Sequence, residues 1–507
     1  MFRKLTTLLL VLAMMLAVLP MTGMAEDLPP VELDWYFGQT EMPDSALVNE
    51  AINEYLTEKI NTKVNLHFWA GTENWDRMRT MISAGQDVGI IGFGSQTQLD
   101  YVSESQRGAY YPLNDLMEEY GQGIKALFNQ GIWDAMAIDG NIYGIPTLKD
   151  NGYFISLIYN DTMAQELGLD VENFEFNGFR DLEALAREAK EKRDAAHPEW
   201  AEYPILWSVD RIHPYNFAIE NFLNDSFYAV CNLPGIPNIA GVDTETVTNL
   251  YDTPEFLEYA IQKQKLVEDG IYAYDYTDRT EWQYTGAIFG WVGWGYTYME
   301  KNMFGPNFET KMRMFDNMWT DTNNFYSAGT AISSKCANPE RAMMVLNLVN
   351  TDPKLATMLR FGIEGKHYMR DAEGKMTFAG SSNEDPSNRA YYHWYAAPLG
   401  NLTIVEAPET LTGPDGIMLK NMIEYNNSCI QAAHLGFVFD ISNVKTEVAA
   451  LASVEAEYQS DLALGQLSSE DEVREIVAEF NDKLKANGVD KVIAEMQAQL
   501  DAWKAAR

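Results

Sequence analysis

Cysteine is scarce in this chain: Cys231, Cys336 and Cys429 are the only three in 507 residues. An odd, widely spaced set builds no disulfide framework, and a chain this long needs none, so the three read as small buried hydrophobes. Histidine is almost as rare. The six residues, His67, His197, His213, His367, His393 and His434, show no metal-ligand spacing, and no EF-hand series of acids occurs, so no metal or other cofactor is expected. The nearest approach to a phosphate loop, Gly362 to Lys366, lacks both the spacing and the following Ser or Thr, and there is no GxSxG elbow. Positive charge is short as well, with Lys+Arg 37 against Asp+Glu 74 and a formal charge of −37. Such a surface repels nucleic acid and anionic lipid headgroups, which excludes electrostatic binding to either. The acids themselves are a poor guide to catalysis, because among 74 of them some pair always fits a glycosidase on paper.

Long apolar runs are confined to the N-terminus. Leu8 to Leu19 is unbroken, follows Arg3 and Lys4, and precedes Pro20 and the small-residue stretch ending at Ala25. This pattern predicts a secretory signal peptide over residues 1–25. No later run reaches the ~18 apolar residues of a membrane-spanning helix. Removing the peptide takes away two basic residues and no acids, leaving 35 against 74, or −39. Met24 stands where a lipobox would carry its modified cysteine, so no lipid anchor is expected. The export product is read as secreted, at the cell surface or in the periplasm.

What is present points to packed cores: 46% apolar and 12% aromatic residues. At more than 500 residues, more than one domain is expected, since single cores stop growing at roughly 250 to 300. Val31, Leu33, Trp35 and Phe37 alternate as a strand; Asp44 or Ser45 can cap a helix showing Leu47, Ala51, Ile52, Tyr55, Leu56 and Ile60; Val64, Leu66 and Phe68 form a second strand. A helix around Trp75 to Ala84 leads into a strand at 87–95. Strand, helix, strand, helix, strand predicts a parallel sheet with right-handed crossovers. Ligands of such sheets sit beyond the carboxyl ends of the strands, which singles out Gln39, Ser95 and Gln96 on the strand-end loops. A strand at 152–160 and another at 325–333 read as crossings between two lobes; Lys149 and Asp150 lie on the loop before the first. In the tail, Ser469 and Glu472 have capping-box spacing, and Val473, Ile476, Val477, Phe480 and Leu484, then Val492, Ile493, Met496, Leu500 and Trp503, make two apolar stripes separated by Asn487-Gly488. They are read as docking helices for the chain's own body, with a partner surface as the alternative.

The aromatics cluster. Ten fall in the 27 residues from Tyr272 to Tyr298, among them Trp282, Trp291 and Trp294, interleaved with glycine. Glycine beside tryptophan suits a loop that offers flat rings to a ligand, and the CH faces of sugars stack on such rings. Trp291 and Trp294, and more remotely Trp207, Trp319 and Trp394, are candidates for that contact, with core packing as the alternative for each.

The segments YYPLNDLMEEYG (111–122), DGNIYGIP (139–146), NPERAMMVLNLVNTDPKLATMLRFGIEGKHY (338–368), LGFVFDISNVKTEVAALASVEAEY (435–458) and GVDKVIAEMQAQLDAW (488–503) resemble the extracellular solute-binding proteins, family 1, of bacterial ABC importers, in the lipoprotein-like branch with a C-terminal extension. The resemblance implies an α/β, type II-like, two-lobed periplasmic-binding-protein fold that closes by a hinge around a small oligosaccharide in an interlobe cleft and delivers it to the transmembrane permease subunits. It implies a first lobe over 26–155 rejoined from about 326 onward, a second lobe over 156–325, and an extension over 370–507 that contributes to both lobes and ends in helices. It places Glu364, His367 and Tyr368 of GIEGKHY near the cleft, with a structural role for that segment as the alternative. The reading is a non-catalytic, monomeric binding protein. A carbohydrate-active enzyme, a binding protein for a non-sugar solute such as a peptide, and an adhesin using the amphipathic tail stand as alternatives.

Overall fold

The computed structural model describes residues 28–94, 97, 99–153, 155–175, 179–208, 219–223, 227–236, 239–273, 285–294, 304, 307–314, 318–394, 399–412, 416–464 and 467–506. The proposed signal peptide lies outside them. In chain order, β1 (Val31–Phe37), α1 (Ser45–Ile60), β2 (Thr62–Phe68), α2 (Thr72–Ser83) and β3 (Ile90–Gly94) give the expected alternation, followed by β4 (Gly144–Pro146) and β5 (Ile155–Asn160). Then come α3 (Phe179–Ala196), β6 (Leu206–Ser208), α4 (Pro254–Glu268), β7 (Tyr272–Ala273), β8 (Gly290–Trp294) and β9 (Thr310–Met314). The later elements include β10 (Ala328–Ile332), α5 (Pro339–Thr351), α6 (Pro353–Phe361), α7 (Ile417–Ser428), α8 (Lys445–Leu464), α9 (Glu470–Ala486) and α10 (Val489–Ala505).

The chain divides into two compact units. One takes the chain up to Phe128, Asn141–Thr147 and Ala328–Glu406; the other takes Asn129–Gly140, Leu148–Ser327 and Ala407 onward. The first is organised on a five-stranded sheet of order β2-β1-β3-β10-β4. β1 runs parallel to β2 and β3, whereas β10 is antiparallel to β3 and β4. Leu33, Trp35 and Phe37 alternate onto the buried face, and Val48, Ile52, Leu56 and Ile60 bring a matching α1 stripe at i, i+4 spacing. Leu47, expected on that stripe, is 37% exposed instead, because the strict i+4 series from Val48 already fills the contact. Asp44 occupies the N-cap position but makes no capping bond.

In the second unit a sheet of order β7-β6-β8-β5-β9 packs against α3 through Leu157, Leu182, Leu185, Ala186, Leu206 and Val292. β6 is parallel to β7 and β8, and β8 and β9 are antiparallel to β5. A separate core joins the antiparallel strands Ile219–Asn221, Ala229–Asn232 and Thr248–Asn249 to the tail helices. There Val473, Val477, Phe480, Leu484, Val492, Met496 and Leu500 are all buried, with Ile476, Ile493 and Trp503 packed at the margin. Both tail stripes are therefore spent inside this unit. Cys231 and Cys336 are buried, and all three cysteines are free thiols.

Candidate functional site

In the first unit the carboxyl ends of β1 and β2 carry two distinct surfaces, because side chains alternate across the sheet. On one face Phe37 and Phe68 end their strands with rings 5.7 Å apart. His393 stacks on Phe68 at 5.0 Å and 16°, and Tyr391 meets His393 edge-on at 4.8 Å. With Gln39, Leu359 and Leu399 these rings line a recess too tight to admit a water molecule. Burial, with the charge of Arg360 behind it, pushes the His393 imidazole down to about 4, so the stacked ring is neutral at pH 7. The segment that brings His393 here is tied down by Arg360, 1% exposed, whose guanidinium donates to the carbonyls of Trp394 at 3.3 Å, Leu399 at 3.0 Å and Gly400 at 3.2 Å. Trp394 itself is buried and stacked on Phe361 at 5.5 Å.

On the other face the register pairs Asp34 with Asn65 and Tyr36 with His67. His67 Nε2 lies 2.7 Å from Asp34 Oδ1, the Tyr36 ring lies on the His67 ring at 4.4 Å and 14°, and Trp69 meets Tyr36 edge-on at 4.8 Å. The Arg77 guanidinium stands 5.0 Å over Trp69. Burial first, and then the Asp34 carboxylate, push the Tyr36 phenol above its usual range, keeping it a neutral hydroxyl. His67 and Trp69 are half-buried. Flat rings edged by a carboxylate, an imidazole and a guanidinium suit a ligand with both CH faces and hydroxyls.

The loop after β1 is closed by the GIEGKHY segment. His367 is wholly buried; its Nδ1 accepts the Ile363 amide proton at 2.9 Å, and its Nε2 faces Asp44 Oδ2 at 3.1 Å. An acceptor Nδ1 fixes the proton on Nε2, so the ring donates to Asp44. Lys366, 3.0 Å from the same oxygen, is the main cause that holds the Asp44 carboxyl below its usual range. This engagement is why Asp44 does not cap α1. A side chain at Gly362, φ 79°, would meet His367 Nδ1 at 2.6 Å, so the turn requires glycine there. Glu364 points the other way, exposed and 3.3 Å from Arg370, while Tyr368 is buried.

In the second unit Asp150 pairs with Lys149 at 3.2 Å. Its loop is pinned by Asn426 of α7, which accepts the Asn151 amide at 2.8 Å and donates to the Lys149 carbonyl at 2.6 Å, and by Thr320, which donates to the Asn151 carbonyl at 2.6 Å. Trp291 of β8 stands beside Trp207 of β6 in parallel register, and Trp294 ends β8. Trp291 is 8% exposed and packed on Ile158, Ile288 and Phe304; Trp319 is buried in the α3 core. Ser95, Gln96 and Trp282 lie outside the described residues.

Gln39, His367 and Trp394 thus belong to one neighbourhood of the first unit, with Glu364 on its surface, and Asp150, Trp207, Trp291 and Trp294 to the second unit. Sequence reasoning missed Tyr36, His67, Trp69, Tyr391 and His393. The first three carried a readable signal, because strand alternation places Tyr36 and His67 opposite the apolar positions and Trp69 one step past the strand end. The last two carried none. Among the described residues no group of three or more His, Cys, Asp or Glu side chains could hold a metal ion, and no helix is long and apolar enough to cross a membrane.

A family model described as bacterial extracellular solute-binding protein matches residues 39–354, and a domain of unknown function (DUF3502) matches residues 433–505. A carbohydrate ABC transporter substrate-binding protein of Streptococcus pneumoniae is 24% identical over 490 residues, 94% of this chain and 91% of that protein. Among solved structures, the N-glycan transport solute binding protein NgtS of S. pneumoniae matches with a TM-score of 0.75 at 20% identity, covering 94% of this chain and 99% of that one. The S. pneumoniae ABC-transporter substrate binding protein FusA in complex with kestose matches with a TM-score of 0.56 at 14% identity, covering 94% and 100%. At such identities the likeness is one of fold, the two-lobed α/β fold of solute-binding proteins, and the matched relatives are binding proteins rather than enzymes. With most of its length matched by that family's model, the chain belongs to the bacterial extracellular solute-binding proteins.

Proposed function

We propose that this protein is the substrate-binding component of an ABC importer, capturing an extracellular oligosaccharide and delivering it to the permease. The observation that carries the reading is the stack at the carboxyl ends of β1 and β2, where the half-buried His67 and Trp69, backed by the buried Tyr36, set flat rings beside hydrogen-bonding groups. A neutral, hydroxyl-rich ring compound fits that combination, and the −37 charge of the chain disfavours an anionic one. The relatives support it: NgtS has been solved with Man5GlcNAc and FusA with kestose. Ligand contacts fall to His67 and Trp69 together with Gln39, Ser95, Gln96, Asp150, Trp207 and Trp294, with Glu364 at the margin. The buried Trp291, His367 and Trp394 hold the surfaces those residues stand on. The mature protein is exported after loss of residues 1–25 and acts as a monomer.

Calorimetric titration of the purified protein with Man1GlcNAc, Man5GlcNAc, kestose and maltooligosaccharides tests the reading. Saturable heat with at least one glycan, recovered unchanged by chromatography after long incubation, is expected. No heat with any of them alongside tight binding of a peptide would sink it.

A further inference from the structure

Arg193 is a fully engaged charged side chain of the second unit. It stands in the last turn of α3 with a fully buried side chain, and all five guanidinium N–H donors have acceptors. Nε and Nη2 donate to Asp194 Oδ1 at 2.9 and 2.7 Å. Nη2 also donates to the Tyr203 carbonyl at 2.8 Å, and Nη1 donates to the carbonyls of Pro204 and Ala287, each at 2.8 Å. Lys190 completes the set by donating to Asp194 Oδ2 at 2.8 Å and to the Ala201 carbonyl at 3.0 Å.

These acceptors lie on the approaches to two strands. Tyr203 and Pro204 precede β6, and Ala287 precedes β8. Directly beyond the guanidinium, the Ile205 carbonyl accepts the amides of Phe289 at 2.9 Å and Gly290 at 3.2 Å. The parallel register Gly290 with Leu206, Trp291 with Trp207 and Val292 with Ser208 then begins. One planar cation therefore sets where both strands enter the sheet. The planar fork matches this set of acceptors; an ammonium has three donors and no such plane.

We infer that Arg193 is a positioning residue for ligand capture, a guanidinium clamp that seats β6 and β8 against each other and through them places Trp207 and Trp294. The ligand half of this inference rests on the oligosaccharide reading above; the strand half stands on the geometry alone. A clamp at strand entry acts on where those strand positions stand, and small displacements of a binding group cost affinity steeply.

The test compares the full-length wild type with Arg193→Lys, and with the milder Asp194→Asn should the first fail to fold. Two readouts are taken well below the melting temperature: Man5GlcNAc affinity by calorimetry, and hydrogen exchange by mass spectrometry over 203–208, 287–294 and the tail helices. The expected result is an affinity about tenfold weaker or more, with faster exchange confined to 203–208 and 287–294 and α8 to α10 unchanged. Wild-type affinity in a folded variant overturns the inference, as does exchange that accelerates everywhere or nowhere. If the wild type itself gives no heat with Man5GlcNAc, that choice of sugar falls, and the exchange pattern still decides whether Arg193 seats the two strands.

Discussion

A neutral imidazole stacked on Phe68 and met edge-on by Tyr391 gives His393 a pH signature of its own. The folded ring titrates at about 4 and a free one at 6.5. Its contribution to stability is therefore complete above about 6.5 and is lost as pH falls toward 4, by up to about 3 kcal/mol. His393→Phe keeps the stack and removes the titration, so its melting temperature gains on the wild type at pH 4.5 relative to pH 7.5; an equal difference at both values would refute this. In the second unit Asp321 has the opposite sign. Burial, and then the neighbouring Glu220, push its carboxyl up to about 7 from 3.8. Stability is fully present below about 3.8 and is lost as pH rises through 7. Asp321 accepts the Asn324 amide at 3.3 Å and faces the Tyr153 hydroxyl at 3.5 Å, bonds an asparagine can keep. Asp321→Asn is expected to raise the melting temperature at pH 7.5 and leave it nearly unchanged at pH 4. At this scale Gln39 was legible, since a strand end and the rule for parallel sheets locate it. His393 was not, because Phe68 and Arg360, which define its environment, lie far from it along the chain.

Elements were more legible than residues, because helical periodicity is a local property. The tail shows this best: both stripes read at i, i+3 and i+4 spacing pack into one core, with Ile476, Ile493 and Trp503 at its margin. Ser469 caps α9 as its spacing predicted, accepting the Glu472 amide at 3.2 Å. The return arm of the box differs: Glu472 accepts the Ser468 amide at 2.7 Å rather than that of Ser469, one residue further out. Ser469→Ala is expected to cost about 1 kcal/mol, read as a lower urea midpoint with an unchanged slope. The misjudged elements are those settled by long-range contacts. Asp44 was a reasonable helix cap by composition, yet its carboxylate is taken by Lys366 and His367, more than 300 residues away.

For the whole molecule, the burial of the tail decides between a docked helical region and a free adhesive surface. Phe227, Val230, Tyr251 and Phe256 share one core with α8 to α10, so removing residues 469–507 uncovers them. The deletion is expected to yield an aggregation-prone protein with a shifted or lost thermal transition; a body as stable as the intact chain would show that the tail is dispensable for folding. The amino-acid sequence by itself determined the acidic surface, the α/β alternation, the amphipathic tail and, through segments spread over the chain, the family. All of these depend on composition or on residues near one another along the chain. Only the tertiary structure decided which rings meet at the ends of β1 and β2, why Asp44 leaves its helix uncapped, and that one guanidinium gathers carbonyls from 203, 204 and 287. The physical reason is that such contacts are made by chain closure. Hydrogen-bond geometry and burial select them after the sheets have formed, and no local pattern encodes a partner that lies on another element.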